Sequence, residues 1–299
     1  MRVAILAARQ GWHTEQLCRA LIERGHEGRV LPYEALTARF GAGTAGSSSF
    51  SAAGQDLASC GVVLARIIPA GSLEQIIFRV DALHALEEHG IPVINSPRTI
   101  ERTVDKLWTT AILAHAGLPV PETIVCEHPD DAVAAFRKLG DGGGDVIVKP
   151  LFGSMGLGMV RVSDEEMAFR VFRTLETLRS VYYLQRAIDH AGCDVRAFVV
   201  GGRVIGAIER SAAGWKTNLA RGGQARAVTL PSRLVELALA AARAVGADYA
   251  GVDLLPARDG TVYVVEVNGI PGWRGLQEAT SSDVAGAIVE HLLGRVTPR

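Results

Sequence analysis

The chain reads as an α/β (α+β) protein built from several lobes, and three observations lead there. The first hundred residues alternate short apolar strands with segments of helical period, the pattern of a mostly parallel sheet. The second half carries two hairpin signals: GlyGly at 201 and 202 between alternating runs, and AspGly at 259 and 260 between VDLLP and TVYVVEVNG. The length of 299 residues also exceeds what one core fills comfortably, because cores stop growing at roughly 250–300 residues. Two or three lobes are therefore expected.

Composition removes several classes of function. A formal net charge of −1 provides no global field for nucleic acid or an anionic membrane, so anion binding must rest on local clusters. Cys18, Cys60, Cys126 and Cys193 are scattered without CxxC spacing, as buried free thiols of a reducing cytoplasm would be. No apolar run reaches the roughly 18–20 residues of a membrane span. The opening MRVAILAARQGW lacks a small-residue cleavage site, so it is expected to be a first strand.

Taken in order, residues 2–8 form that strand, and residues 14–24 form a helix whose apolar spacing (Leu17, Leu21, Ile22) ends at Gly25. Residues 30–32 continue as a strand. The βαβ opening invites a dinucleotide reading, but AARQGWH contains no GxGxxG and that function is rejected. Residues 41–54, GAGTAGSSSFSAAG, are expected to be a mobile surface loop. A buried strand over 62–68 bears one charge, Arg66, and a helix over 72–89 and a strand over 91–94 complete the first lobe.

A helix over 105–115 stops at Gly117, the prolines of LPVPETIVC impose an extended path, and a helix follows over 129–139. DVIVKPLFGSMGLGMVRV is a strand, a glycine-bearing loop and a second strand. Ser163 and Glu166 make a capping box for a helix running to about residue 178, and residues 181–185 form a strand. After the hairpin of 194–210, Ser232 caps a helix to Val245 that stops at Gly246; a last helix spans 282–293.

Chemistry concentrates in two places. On the last strand, a period of two puts Val262, Val264, Glu266 and Asn268 on one face and Tyr263, Val265 and Val267 on the other. Hairpin pairing brings Asp253 alongside, giving two carboxylates and an amide oxygen, hard ligands suited to Mg²⁺ or Mn²⁺. An edge strand carrying solvated acids is the plain alternative, but an ionised glutamate in so apolar a run is costly unless paired. The second place is GSMGLG at 153–158. Its glycines let backbone amides approach phosphate oxygens, with Lys149 upstream; joining two strands, it reads as a flap over a nucleotide and not as a Walker A loop, although a glycine-rich hairpin without ligand fits too.

Other polar positions are less specific. Lys106 lies early in a helix, where the dipole disfavours a cation. Asp194 and Arg196 share a strand face, as an anion site or as an ordinary ion pair. Lys216, Asn218 and Arg221 in WKTNLARGG form a donor-rich loop. No GxSxG elbow, HExxH or zinc spacing occurs.

The order Lys106, VIVKPLFGSMGLG, YLQRAI, CDVRAFVVGGRVIGAIER, TNLARGG, GVDLL and EVNGIPG resembles the RimK-like branch of the ATP-grasp ligases over about residues 105–280. The resemblance implies an ATP-grasp fold: a Rossmann-like N-terminal lobe (1–104), a central subdomain with the flap (105–185) and a C-terminal subdomain with the metal site (186–299), the last two sandwiching ATP. It implies that Lys106, Lys149 and the flap residues Gly153, Ser154, Met155 and Gly156 contact ATP, that Gln185, Arg186, Ala187 and Ile188 form the adenine hinge, and that Asp194 lies near the ribose. Lys216, Thr217 and Asn218 would lie near the phosphates, and Asp253, Glu266 and Asn268 would bind Mg²⁺ or Mn²⁺, with two ions expected. Arg196, Asn218 and Arg221 are candidate catalytic residues, and Arg66 and Arg274 candidates for anionic substrate groups. Two departures stand out: Gln185 is followed by Arg186 where relatives often have Glu, and LysThrAsn replaces ArgSerAsn or ArgThrAsn.

The activity so implied is an ATP-dependent carboxylate–amine ligation through an acyl phosphate, needing no protein nucleophile. L-glutamate is the expected donor, and the acceptor a carboxylate on a small molecule such as a pterin cofactor, a peptide, a protein C-terminus or an amino-group carrier protein. A cytoplasmic homo-oligomer, dimer or tetramer, is expected. A nucleotide-binding regulatory module without turnover and a phosphotransferase are the rival readings.

Overall fold

The computed structural model describes residues 1–41, 48–141, 143–153, 156–211 and 224–296. β1 (Arg2–Ala7) is buried from Val3 onward. It is followed by α1 (Trp12–Glu23), β2 (Glu27–Pro32), β3 (Leu36–Phe40), β4 (Ser48–Ala52), β5 (Gln55–Asp56), β6 (Val62–Ala65), α2 (Leu73–Glu88) and β7 (Val93–Ile94). The sheet order β2-β1-β6-β7 is parallel throughout, as the alternation of strand and helix requires. The expectation of a mobile loop over 41–54 is corrected within its described part. Ser48–Ala52 pairs antiparallel with β3, and Phe50 and Ala52 are buried. Low complexity conceals a period-two alternation in which Ser49 and Ser51 face away from the core and Phe50 and Ala52 face it.

α3 (Pro97–Val104) and α4 (Lys106–His115) lead into a second sheet made by β8 (Thr123–Cys126), β9 (Val146–Lys149), β10 (Val160–Val162) and β11 (Tyr182–Arg186), with α5 (Pro129–Leu139) and α6 (Glu165–Thr177) beside it. The strand order is β10-β9-β11-β8, and all three pairings are antiparallel. The cap of α6 falls one residue later than expected: Asp164 accepts from the Met167 amide at 2.8 Å, and Ser163 instead donates to the Asp164 carboxylate. Likewise Pro231, not Ser232, precedes the first turn of the helix that follows.

The third sheet contains β12 (Cys193–Val200), β13 (Arg203–Ser211), β14 (Gln224–Ala227), β15 (Tyr249–Pro256) and β16 (Val262–Asn268), with α7 (Ser232–Val245) packed on it and α8 (Arg274–Ala279) and α9 (Val284–Gly294) closing the chain. Gly201 and Gly202 turn the β12–β13 hairpin with φ of +55° and +74°, a region that favours glycine. The core does not respect the order of the chain. Val3, Ile5, Leu17 and Leu21 from the first lobe form one cluster with Phe198, Tyr249 and Trp273 and with Val284, Ile288 and Leu292 of α9.

Candidate active site

A cavity of about 710 Å³ lies between the second and third sheets, with its far wall made by residues 67–70 of the first lobe and by α3. Its position follows from strand register. β15 sits between β12 and β16, so Asp253 has Arg196 as one Cα partner and Glu266 as the other. A β-bulge falls between Asp253 and Leu254: Asp253 pairs with Glu266, and Leu254 with Val264. Val265 is the extra residue, and it reverses the side-chain alternation. Val262 and Val264 therefore join the core on α7 with Val267, while Val265, Glu266 and Asn268 line the cavity. The expected common face of Val262 and Val264 with Glu266 is corrected by this bulge; Glu266 and Asn268 still face the same way.

Asp253 is 3% exposed and accepts the Arg196 fork, Nε to Oδ1 and Nη2 to Oδ2, both at 2.6 Å. Arg210 reaches the same carboxylate at 2.9 Å and forks onto Asp194 at 2.7 and 2.6 Å. Burial alone would push the Asp253 carboxyl up; the two guanidinium groups outweigh it and hold it below the usual range. Burial would depress the Arg210 guanidinium, but Asp253 and Asp194 more than compensate and keep it charged. Arg210 was not among the residues picked out by sequence, although it closes the motif CDVRAFVVGGRVIGAIER. Its signal was the register: across the hairpin it is the Cα partner of Asp194.

On the opposite wall, Lys149 ends β9 and donates to Gln185 Oε1 at 2.6 Å, and Gln185 in turn donates to Thr123 Oγ1 at 2.9 Å. Burial lowers the Lys149 ammonium to about 8; nearby Lys106 adds to the effect and Glu266 opposes it. Lys106, the first residue of α4, donates to the Gly153 carbonyl at 2.9 Å, and burial lowers its ammonium too. Gly153 and Gly156 line the cavity at the loop joining the antiparallel strands β9 and β10. Arg186, Ala187 and Ile188 line it as well; the Arg186 side chain is held by Glu122 at 2.6 Å.

The cavity thus gathers Lys106, Lys149, Gly153, Gly156, Gln185, Arg186, Ala187, Ile188, Asp194, Asp253, Glu266 and Asn268, with Arg196 on Asp253. Ser154, Met155, Lys216, Thr217, Asn218 and Arg221 lie outside the described residues. Arg66 and Arg274 are not brought into the cavity. Arg66 is buried, donates to the Tyr249 hydroxyl and the Pro271 carbonyl at 3.0 and 3.1 Å, and lies over the Trp273 ring. Arg274 is exposed, bonded to Glu278 and set over Trp12. Between them, His13 accepts from the Trp273 amide at 3.2 Å, and burial with the two arginines pushes its imidazole down to about 4.

The donor set fits a hard divalent cation. Among the described residues no three His, Cys, Asp or Glu side chains form a metal cluster, so a cation here would need the Asn268 amide. Asn268 Nδ2 is directed to the Gly251 carbonyl at 3.5 Å, which leaves Oδ1 as the ligating atom. Asp253 takes three N–H bonds, and a carboxylate has about four lone-pair sites. Apart from Arg161 and Arg186, which are paired with Asp145 and Glu122, four cations (Lys106, Lys149, Arg196, Arg210) face three carboxylates (Asp194, Asp253, Glu266), an excess of one positive charge suited to a polyphosphate.

A cleft between two antiparallel sheets, with a glycine flap, paired lysines and acidic strands on opposite walls, defines an ATP-dependent ligase of the ATP-grasp class. Comparison with known proteins agrees. The RimK-like ATP-grasp domain matches residues 103–292 and the RimK PreATP-grasp domain residues 1–100. The tetrahydromethanopterin:alpha-L-glutamate ligase of Methanosarcina acetivorans is 34% identical over 95% of this chain and 95% of its own. The ribosomal protein bS6--L-glutamate ligase of Salmonella paratyphi B is 33% identical over 100% of this chain and 97% of its own. Among solved structures, the ATP-grasp ligase PsnB complexed with minimal precursor superposes with a TM-score of 0.77 at 23% identity, covering 98% of both chains. A RimK domain protein ATP-grasp from Sphaerobacter thermophilus gives 0.73 at 25% identity over 98% of this chain and 100% of that one. The chain belongs to the RimK-like ATP-grasp ligase family. It is a carbon–nitrogen ligase that forms an amide bond at the expense of ATP, and ligases of this class use ATP with Mg²⁺.

Proposed function

We propose that this enzyme adds L-glutamate to the carboxylate of a small-molecule or peptide acceptor, with Asp253, Glu266 and Asn268 as the metal ligands. The observation that carries the reading is the register that sets Glu266 beside Asp253 and opposite Lys149 and Lys106 in one cavity. Support for glutamate comes from the relatives, whose names give that amino acid with a pterin and with a ribosomal protein.

In this reading the division into lobes at 104 and 185 is functional. Gln185 to Ile188, at the end of β11 and just beyond, face the base, and Lys106, Lys149 and the flap take the phosphates. Asp253, Glu266 and Asn268 would hold Mg²⁺ or Mn²⁺, two ions in the proposed full site, which would neutralise charge on the phosphates. An acceptor carboxylate oxygen bonds to the γ-phosphorus and ADP leaves. The amine of glutamate then bonds to the carbonyl carbon of the acyl phosphate, loses a proton, and phosphate departs with one oxygen of the original carboxylate. Lys149 and Lys106 hold the transferred group, and Arg210 and Arg196 fix Asp253. None of these steps needs a protein nucleophile.

The enzyme is proposed to work in the cytoplasm as a homo-oligomer. Phe40, Leu73, Ile77 and Phe78 form an exposed apolar strip between β3 and α2 that supports self-association. Incubation with ATP, Mg²⁺, glutamate and a panel of carboxylate acceptors tests the function. Acceptor-dependent ADP release with a mass gain of one dehydrated glutamate is expected; ADP release without amide would contradict it.

A further inference from the structure

Asn95 lies at the end of the first lobe, in none of the motifs that carry the nucleotide site, and its side chain is 0% exposed. A buried primary amide has two N–H donors and two acceptor lone pairs, and any left unpaired costs about 1–3 kcal/mol. Here all four are used. Nδ2 donates to the Tyr249 carbonyl at 2.8 Å and the Gly269 carbonyl at 2.5 Å. Oδ1 accepts from the backbone amides of Asp248 and Tyr249 at 2.7 and 3.2 Å. Rotating the amide by half a turn would set donors against donors, so the partners dictate its orientation.

Tyr249 begins β15, the strand of Asp253, and Gly269 follows Asn268 at the end of β16. One side chain from the first lobe thus ties together the entry of one ligand-bearing strand and the exit of the other. The exit is confined from a second side as well: a Cβ on Gly269 would collide with Thr103 Oγ1. We infer that Asn95 is a positioning residue, which sets the spacing of Asn268 and Glu266 relative to Asp253 and thereby the affinity of the site for its divalent cation. The inference rests on the metal reading above. It adds that the geometry of this site is imposed from outside the ATP-binding lobes.

The same seam supplies a matched control. Thr99 and Arg102 on α3 also bond across it, to the Gly246 carbonyl at 2.8 Å and the Val245 carbonyl at 3.1 Å, bonds that end at the C-terminus of α7 and not on β15 or β16. Destabilisation of the seam alone should affect all three residues alike, whereas displacement of the ligands should be confined to Asn95.

The test is Mn²⁺ binding to the intact enzyme with ADP, read by electron paramagnetic resonance, together with thermal stability, for Asn95→Ala, Asn95→Asp, Thr99→Val and Arg102→Ala. The Asn95 variants should bind Mn²⁺ at least tenfold more weakly, and the two controls, at a comparable loss of Tm, within about twofold of the unaltered protein. Equal Mn²⁺ binding in folded Asn95 variants, or an equal loss in the controls, overturns the positioning role. Failure of the unaltered protein to bind Mn²⁺ overturns the metal reading instead. Should neither Asn95 variant fold, hydrogen exchange of the unaltered protein decides: Mn²⁺ with ADP must slow exchange at residues 93–96 together with 249–253, because coupling between sites is reciprocal. Unchanged exchange at 93–96 overturns the inference.

Discussion

In the proposed mechanism the chemistry turns on Glu266 and Lys149. Glu266→Gln removes a charge while keeping shape, so turnover should fall by about 10²-fold or more, with Tm little changed; electrostatic contacts made at the reacting phosphate are of that size. Unaltered turnover in a steady-state assay would remove Glu266 from the site. Lys149 yields a pH prediction. Its ammonium is held near 8 by burial, and only the charged form attracts phosphate. Affinity for ATP, measured calorimetrically, should therefore fall as pH rises through about 8, and a Lys149→Met variant should be weak throughout with no such step. Arg210 differs from both. Arg210→Met would leave Asp194 and Asp253 buried without their shared partner, a loss of about 3–5 kcal/mol in denaturant unfolding. Arg186→Ala should change ATP affinity little, because the guanidinium is engaged by Glu122, and stability little as well, because a half-exposed pair of this kind is worth at most about 1 kcal/mol.

The elements divide into those the sequence reveals and those it hides. The hairpin at 201–202 and the paired strands around the glycine loop are legible because turn chemistry and alternation agree. The bulge at Val265 was not. A side-chain period of two carries no mark of where one residue is skipped, and only pairing with β15 reveals it. β4 was hidden by its serines, and Arg210 by the strand partner that makes it matter. Arg66 and Arg274 drew attention as charges, but what they hold is an aromatic seam at Trp273 and Trp12, which no local pattern announces. At this scale the flap is the informative element. Gly156 sits at φ +66°, so Gly156→Ala is strained by about 1 kcal/mol there. It should weaken ATP binding by a few-fold, measured by calorimetry, without altering the acceptor KM.

At the scale of the molecule, the first lobe is not an appendage. Its sheet shares a core with α9 and Trp273, its Asn95 bonds to both β15 and the residue after β16, and Ile67, Ile68 and Ala70 line the cavity. The family and its chemistry were legible from the ordered motifs of residues 105–280; the acceptor was not, because those motifs carry nucleotide and cation chemistry and none of them is built around an acceptor carboxylate. Amide formation through an acyl phosphate moves one oxygen of the acceptor carboxylate into phosphate. With an acceptor whose carboxylate is labelled with ¹⁸O, one labelled oxygen should appear in inorganic phosphate for each amide formed, detected by the isotope shift in the ³¹P spectrum. Amide formation with unlabelled phosphate would contradict it.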